Sequence, residues 1–234
     1  MKLVCLFVVP VGLFAAVCGN IKPDARDALL LAPGTHKVII ENDMVRILDV
    51  NIPAGVREPA HSQVWPAIVI EDSPRAGERP EVRDFKSYWE VPNANFKKGK
   101  ARDVPSHFLR IELKQADCPP AKNPALPPTD GVLIKDPSIR VPFENAYVRV
   151  LGIEVKPGEA EPPHTHTWPS VVYYYRLPPS KRGTADGKPP VDRPELTQQT
   201  VTFENFAQPI HTLQNLGTYL YQAHRIEIKP VVNH

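Results

Sequence analysis

Apolar and polar residues alternate along several short stretches of the chain. Leu151, Ile153 and Val155 alternate with smaller, polar or charged residues. The same parity occurs earlier in the chain, at Leu48, Val50 and Ile52. Because successive side chains of a β-strand point to opposite faces, the alternation predicts strands with one apolar, buried face. Turns rich in Gly and Pro separate these short strands, which favours a β-sandwich or barrel that leaves few strand edges exposed.

The chain also contains an internal duplication. Residues 38–74 align without a gap with residues 141–177, and 13 of the 37 aligned positions are identical. A second match aligns HFLRIELK at 107–114 with QAHRIEIK at 222–229. The duplication therefore predicts two complete domains, each of ordinary size. The predicted domain bounds are 36–114 and 132–230.

Residues 115–131 are dense in proline and have no apolar period, which predicts a stiff, exposed linker between the two copies. The whole chain holds 28 prolines, which favours loops and strand ends over helices. Its 28 basic and 26 acidic residues leave a net charge of only +2. So small a net charge produces no overall electrostatic field that would attract nucleic acid, so nucleic-acid binding is excluded.

The N-terminal residues 1–19 have the pattern of a secretory signal peptide. One Lys precedes an apolar run from Leu3 to Val17, and small residues and a polar residue follow. The run is too short for a stable membrane span. We therefore expect a secreted or periplasmic protein.

Cys18 offers a weaker alternative, in which it carries a lipid anchor after removal of the leader. If the leader is instead cut after Gly19, Cys118 is the only cysteine that remains. In that case no internal disulfide forms, and packing alone stabilises the fold.

The second copy carries a histidine pattern typical of a metal site. Gly158 is followed by five residues and then by His164, Thr165 and His166. Residues two apart on a strand share a face, so both imidazoles project to the same side and supply half a coordination shell. His211, on a later predicted strand, is a candidate third ligand.

These residues resemble the cupin superfamily of double-stranded β-helix (jelly-roll) barrels, and the duplication resembles a bicupin. Gly158 to His166 is similar to the first half of the first cupin motif, and His211 with Asn215 is similar to the end of the second. The resemblance covers residues of about 36–114 and 138–229. It implies an all-β fold of two tandem barrels, with His164, His166 and His211 as metal ligands inside the second.

Two departures from the cupin pattern matter. The glutamate of the first motif falls on Ser170 or Val171 here, so the resemblance implies three histidine ligands and no fourth protein ligand. In the first copy His61 is kept, but Gln63 and Phe96 replace the other two ligands. A specific metal site needs at least three good ligands, so the first barrel is predicted to be degenerate.

Further residues near the predicted site have two interpretations each. His224 shares parity with Ile226 and is expected to face the barrel interior, as a hydrogen-bonded core residue or as a substrate-binding group. Tyr173 and Tyr175 have no aromatic counterpart in the first copy and are expected to line the cavity. Trp168 recurs as Trp65, which favours structural packing over a role in the site.

Arg149 likewise recurs in the first copy, as Arg46. A structural ion pair that both copies share explains this repetition better than catalysis does.

Three neutral nitrogens leave a divalent ion with its full charge and open positions, and Fe, Mn, Ni, Cu or Zn could occupy such a site. The sequence therefore favours a metal-dependent oxygenase or isomerase acting on a small oxygenated molecule. The alternative is a non-catalytic exported bicupin that binds a small ligand or is purely structural. The chain is expected to be a monomer or a homodimer.

Overall fold

A computed structural model describes residues 18–19, 21–71, 86–96, 101, 103–186 and 188–232. Most of the predicted signal peptide, residues 1–17, lies outside the described residues. No helix in the described ranges is long and apolar enough to cross a membrane.

Apart from one four-residue helix, the regular elements of the described chain are all β-strands, and these strands fall into two units. The first unit contains α1 (Ala28–Leu31), β1 (His36–Glu41), β2 (Val45–Ile52), β3 (His61–Gln63), β4 (Ala67–Glu71), β5 (Lys86–Glu90), β6 (Asn93–Phe96) and β7 (Ser106–Leu113). The second contains β8 (Ile139–Glu144), β9 (Val148–Val155), β10 (His164–His166), β11 (Ser170–Arg176), β12 (Ser180–Thr184), β13 (Val191–Arg193), β14 (Thr200–Glu204), β15 (Gln208–Asn215) and β16 (Tyr221–Ile228).

The large sheet has the same strand order in both units. A five-stranded antiparallel sheet has the order β1-β2-β7-β4-β5 in the first unit and β8-β9-β16-β11-β14 in the second. Opposite it lies a smaller sheet, formed by β3 and β6 in the first unit and by β10, β15, β12 and β13 in the second. The predicted all-β fold with two tandem barrels is confirmed, while the exact domain bounds stay a prediction.

One hydrophobic core joins the five-stranded sheets of both units. Its buried residues are Val45, Ile47, Ile68, Ile70, Leu109, Ile111, Leu113, Val148, Val150, Val171, Tyr173, Ile226 and Ile228. Separate cores fill the barrels themselves, around Leu48 and Val50 in the first and around Ile153 and Leu213 in the second. The large sheets are therefore covered on both faces.

This double burial corrects the expectation of strands with one buried face. Seven of the eight residues of β9 are buried and the eighth is partly buried, and all eight residues of β16 are buried. The parity predicted for Leu151, Ile153 and Val155 holds, because they belong to one face. The opposite face, with Val148 and Val150, packs toward the other unit.

Replacing Ile226 by alanine is expected to lower the free energy of unfolding by about 2–5 kcal/mol, because Ile226 is fully buried in the shared core and the change leaves a cavity. Urea unfolding measures the loss. Ile39→Ala is the control, since Ile39 is 41% exposed and its truncation should change stability by less than about 0.5 kcal/mol. Equal effects of the two substitutions would contradict the shared core.

The proline-rich segment between the units is not uniformly exposed, which corrects the predicted linker. Cys118 and Asp130 are buried, and Asp130 forms an ion pair inside the second unit. Cys118 also forms a disulfide with Cys18, across 100 residues of sequence. The sequence excluded an internal disulfide only for a chain cut after Gly19, and the described structure, which retains Cys18, pairs it with Cys118.

Candidate metal centre

Two neighbouring strands of the smaller sheet bring the three predicted ligands together. β10 pairs with β15 in antiparallel register, and His164 lies opposite His211. An irregularity in the pairing follows, so that His166 lies opposite Gln208. One ring nitrogen from each histidine lies within 4.8 Å of the others, and all three residues are buried.

The same ring nitrogen is left free on each histidine. Nδ1 of His164 lies 2.9 Å from the carbonyl oxygen of Pro162, and Nδ1 of His211 lies 2.9 Å from that of Pro209. Nδ1 of His166 lies 3.0 Å from Oε1 of Glu227. Because these oxygens accept hydrogen bonds, each Nδ1 carries the proton and each Nε2 keeps its lone pair, as a metal ligand requires.

Burial also keeps the imidazoles neutral. It lowers the pKa of His164, lowers that of His166 well below 6.5 and lowers that of His211 to about 2. The positive charge of Arg225 acts in the same direction at His166. The three residues therefore offer neutral nitrogens across the physiological range, and this donor set fits a divalent ion.

A buried charge network supports the site from behind. Glu227 is fully buried and accepts hydrogen bonds from His166 and from Nε of Arg149. Nη2 of Arg149 lies 3.0 Å from Asp130. The first unit repeats the ion pairs with Arg46, Glu112 and Asp27. The predicted structural ion pair of Arg149 is confirmed.

Trp168 belongs to this network and not to the pocket. The Arg149 guanidinium lies 4.6 Å from the centroid of its ring, and Arg46 lies 4.8 Å from that of Trp65. Trp168 does not line the cavity at the three histidines. Its position matches the structural interpretation and corrects its place among the candidate site residues.

A cavity of about 40 Å³ adjoins the three histidines. Its other lining residues are Ile153, Glu161, Val172, Tyr174, Arg182, Arg193, Glu204, Gln208, Leu213, Tyr221 and Arg225. Glu161 is buried, and burial raises its pKa to about 7, with a further contribution from the charge of Asp136. The pocket therefore combines the metal ligands with a carboxyl group able to exchange a proton near neutral pH.

The structure places His224, Tyr173 and Tyr175 on the opposite face of the large sheet, and their expected inward orientation is wrong. Tyr173 lies in the core shared with the first unit, and Tyr175 packs against that core. The His224 ring meets Tyr175 edge to face, with centroids 5.2 Å apart. Burial lowers the pKa of His224 to about 4. The intervening Tyr174 lines the cavity instead.

Sequence reasoning missed Glu227 and Arg225 for the same reason. It assigned the apolar residues of β16 to the barrel interior, but Ile226 faces the other unit and Arg225 and Glu227 face inward. One signal pointed to them, since the charged residues of this strand recur in the first copy as Arg110 and Glu112.

The first unit holds the equivalent positions in the same register. His61 lies opposite Phe96, as His164 lies opposite His211, and Gln63 lies opposite Asn93. Nδ1 of His61 lies 3.1 Å from the carbonyl oxygen of Pro59. The metal-type cluster found in the described residues lies in the second unit alone.

Replacing Glu227 by glutamine is expected to have two effects, because Glu227 pairs with Arg149 and orients His166. Breaking the buried pair should lower the free energy of unfolding by about 3–5 kcal/mol. Losing the acceptor charge behind His166 should weaken metal affinity about 10- to 100-fold. Urea unfolding and metal titration measure these effects.

The matched control is Glu112→Gln, which breaks the equivalent ion pair with Arg46 in the first unit. Glu112→Gln should lower the free energy of unfolding by a similar amount and leave metal affinity unchanged. A loss of metal affinity in both variants would show that the effect is one of general destabilisation.

Without metal, the protein is expected to lose stability as the pH falls below about 6.5, the ordinary pKa of histidine. The buried histidines have depressed pKa values and stay neutral when folded, whereas unfolded histidines take up protons. The unfolded state then binds more protons, at about 1.4 kcal/mol per pH unit for each such group.

Unfolding in the presence of a chelator at about pH 7 and about pH 5 measures this loss. The variant with His164 and His166 replaced by alanine should show a smaller change. The same change in both proteins would mean that other groups dominate the acid response.

No protein-family model matches the sequence, and no curated protein matches it. Among solved structures, the chain is similar to a cupin domain from Bordetella pertussis Tohama I, with 24% identity, 39% of this chain and 92% of that chain covered, and a TM-score of 0.33. It is similar to AerE from Microcystis aeruginosa, with 10% identity, 84% and 98% covered, and a TM-score of 0.44. It is also similar to the oxalate decarboxylase formate complex of Lactobacillus farciminis, with 14% identity, 86% and 79% covered, and a TM-score of 0.42. These similarities concern the fold.

Proposed function

Because the chain folds as two tandem cupin-type barrels and, among the described residues, three histidines converge in the second alone, we propose that this protein is an exported, metal-dependent cupin enzyme. Its reaction is oxygenase or isomerase chemistry on a small oxygenated molecule. The convergence of one ring nitrogen from each of three histidines at a shared pocket, with every Nδ1 bonded elsewhere, is the observation that carries the proposal.

His164, His166 and His211 would hold the ion. A divalent ion held there by three neutral ligands would act as a Lewis acid toward the oxygen atoms of a substrate. This ligand set does not choose among Fe, Mn, Ni, Cu and Zn, because imidazole suits most of them and affinity follows the general order of the metals.

The chain itself supplies the proton chemistry and the walls of the pocket. Glu161 is the candidate acid or base, since its buried carboxyl group lines the pocket and its pKa of about 7 suits either role. Tyr174, Val172 and Leu213 form apolar walls that limit the access of water. Glu227 and the carbonyl oxygens of Pro162 and Pro209 fix the orientation of the imidazoles.

The alternative is a non-catalytic binding protein that uses the same site. The small cavity of about 40 Å³ favours it, because catalytic pockets for organic substrates usually measure about 300–1,000 Å³.

A ligand screen followed by a turnover assay separates the two functions. The purified protein is loaded with each divalent metal, and small carboxylates and catechols are tested for an increase in melting temperature, since ligands that bind the folded state stabilise it. Each stabilising compound is then incubated with the loaded protein, and its loss and any oxygen consumption are followed. Turnover that disappears in Glu161→Gln supports the enzyme. Stabilisation without turnover of any compound supports the binding protein.

A further inference from the structure

Three arginine side chains, Arg182, Arg193 and Arg225, line the same pocket as the candidate metal ligands. Among the described lining residues they outnumber the acidic ones, Glu161 and Glu204. The neutral histidines do not compensate the charge of a divalent ion. The loaded pocket is therefore strongly positive, and it favours an anionic ligand.

The three arginines differ in how far their hydrogen bonds are satisfied. Arg225 donates to Glu204 over 2.9 Å, and the guanidinium of Arg193 lies 5.6 Å from the centroid of the Tyr174 ring. The Nε atoms of Arg182 and Arg225 are both buried without a hydrogen-bond partner in the part of the chain that the structure describes, and of these two arginines only Arg225 is held there by an ion pair, to Glu204. A buried donor of this kind needs an acceptor, and the pocket itself is the space where a ligand can supply one.

The size of the cavity limits what can enter. A water-sized group needs about 10–15 Å³ of cavity volume, so a cavity of about 40 Å³ holds about three such groups. A carboxylate group is small enough to fit in this volume. The planar fork of a guanidinium also matches the geometry of a carboxylate.

We propose that the second barrel binds the carboxylate group of a small organic acid, which receives hydrogen bonds from Arg182 beside the metal. This inference rests on the proposed metal site and names the class of its substrate. The remainder of the acid has to be small or to extend toward the mouth of the pocket.

Calorimetric titration of the metal-loaded protein with malonate, acetate, inorganic phosphate and the neutral analogue acetamide tests the inference. Malonate and acetate should bind, and acetamide should not. Arg182→Gln should weaken malonate binding about 10- to 100-fold, because a charge-assisted hydrogen bond is lost. Metal content should stay unchanged. Arg140→Gln is the matched control, since Arg140 pairs with Glu154 at the surface, with half of its side chain exposed.

The outcomes separate this inference from the proposed function. A wild-type protein that takes up no metal overturns the proposed function. A loaded protein that binds acetamide as well as acetate, or phosphate in preference to malonate, overturns the carboxylate assignment alone. Equal malonate affinity in Arg182→Gln and the wild type overturns the role of Arg182.

A separate observation concerns the N-terminal cysteine. Cys18 is bonded to Cys118, and the adjacent backbone nitrogen of Gly19 lies 3.0 Å from both carboxylate oxygens of Asp117. Cys118 is 1% exposed. The C-terminal tail joins the same cluster, where the nitrogen of Val232 donates to the carbonyl oxygen of Pro119.

We infer that the mature protein keeps Cys18, so that the leader is cut before Cys18 and not after Gly19. Cys5 is then removed with the leader, and the two remaining cysteines form one disulfide. The two thiols lose two protons and two electrons, and a protein disulfide of the exporting compartment accepts both and becomes a dithiol. A sulfur engaged in this bond cannot also carry a lipid, so the inference excludes an anchor at Cys18.

Peptide mapping of the exported full-length product without reduction tests this directly. Trypsin does not cut between Lys22 and Pro23, so the expected species joins a peptide that begins at or before Cys18 and ends at Arg26 to the peptide 115–122. Reduction should separate the two peptides. A free thiol at Cys118, or a lipid on Cys18, overturns the inference. Cys118→Ser should release the N-terminal peptide and confirm the identity of the partner.

Discussion

Replacing His164 and His166 together by alanine is expected to reduce the metal content of the purified protein from about one ion per chain to almost none. The two side chains supply two of the three nitrogens that meet at the pocket, and a single imidazole does not hold a divalent ion specifically. Metal analysis after dialysis against a weak chelator measures the result. Added metal should stabilise the wild type by about 2.7 kcal/mol at a hundredfold excess over the dissociation constant, and the variant not at all.

The first barrel provides the matched control, with His61 and Gln63 replaced by alanine. This pair occupies the equivalent strand and is equally buried. The control therefore tests whether removal of buried polar side chains in general causes the loss. Equal metal content in the wild type and the His164/His166 variant would falsify the metalloprotein hypothesis.

A second metal site is expected to form in the first barrel when Gln63 and Phe96 are both replaced by histidine. His61 already keeps its Nδ1 contact with a backbone carbonyl, and its strand pairs with β6 in the same register as β10 with β15. Glu112 occupies the position of Glu227 behind the new histidine at 63. A cavity of about 350 Å³, lined by Gln63 and Phe96, gives the two imidazoles room.

Metal content should rise from about one to about two ions per chain, since three nitrogens then converge in each barrel. Each single replacement should leave the content near one, because two imidazoles form only half of a coordination shell. Combining the double replacement with alanine at His164 and His166 should return the content to about one and place the ion in the first barrel. A content that stays at one in the double variant would show that backbone equivalence alone does not create the site.

The histidines show how much of the site the local sequence pattern can predict. Their spacing placed His164 and His166 on one face of a strand, because the period of a strand is set by its backbone. The similarity to the second cupin motif pointed to His211, and the duplication marked Gln63 and Phe96 as the replaced ligands. It also separated shared structural groups, such as Arg149, from the residues that occur in the second copy alone.

The choice of face could not be made in this way. Alternation on β11 and β16 shows that Tyr173 shares a face with Tyr175, and Ile226 with His224, but it does not show which face points into the barrel. The more apolar face of a strand usually identifies the side that points into the barrel. That criterion failed here because the face outside the barrel is also buried, against the large sheet of the first unit. The inward face instead carries Arg225 and Glu227, whose charges are compensated by ion pairs.

By itself, then, the sequence determined the β-fold, its duplication and the shared face of His164 and His166, since these depend on periodicity and on residues repeated at fixed offsets, while His211 followed from the cupin resemblance. Tertiary structure alone decided that Glu227 orients His166, that Tyr174 and the arginines line the pocket, and that Cys18 meets Cys118. Each of these contacts joins segments far apart in the chain, and the packing of sheet against sheet, which no local pattern records, brings them together.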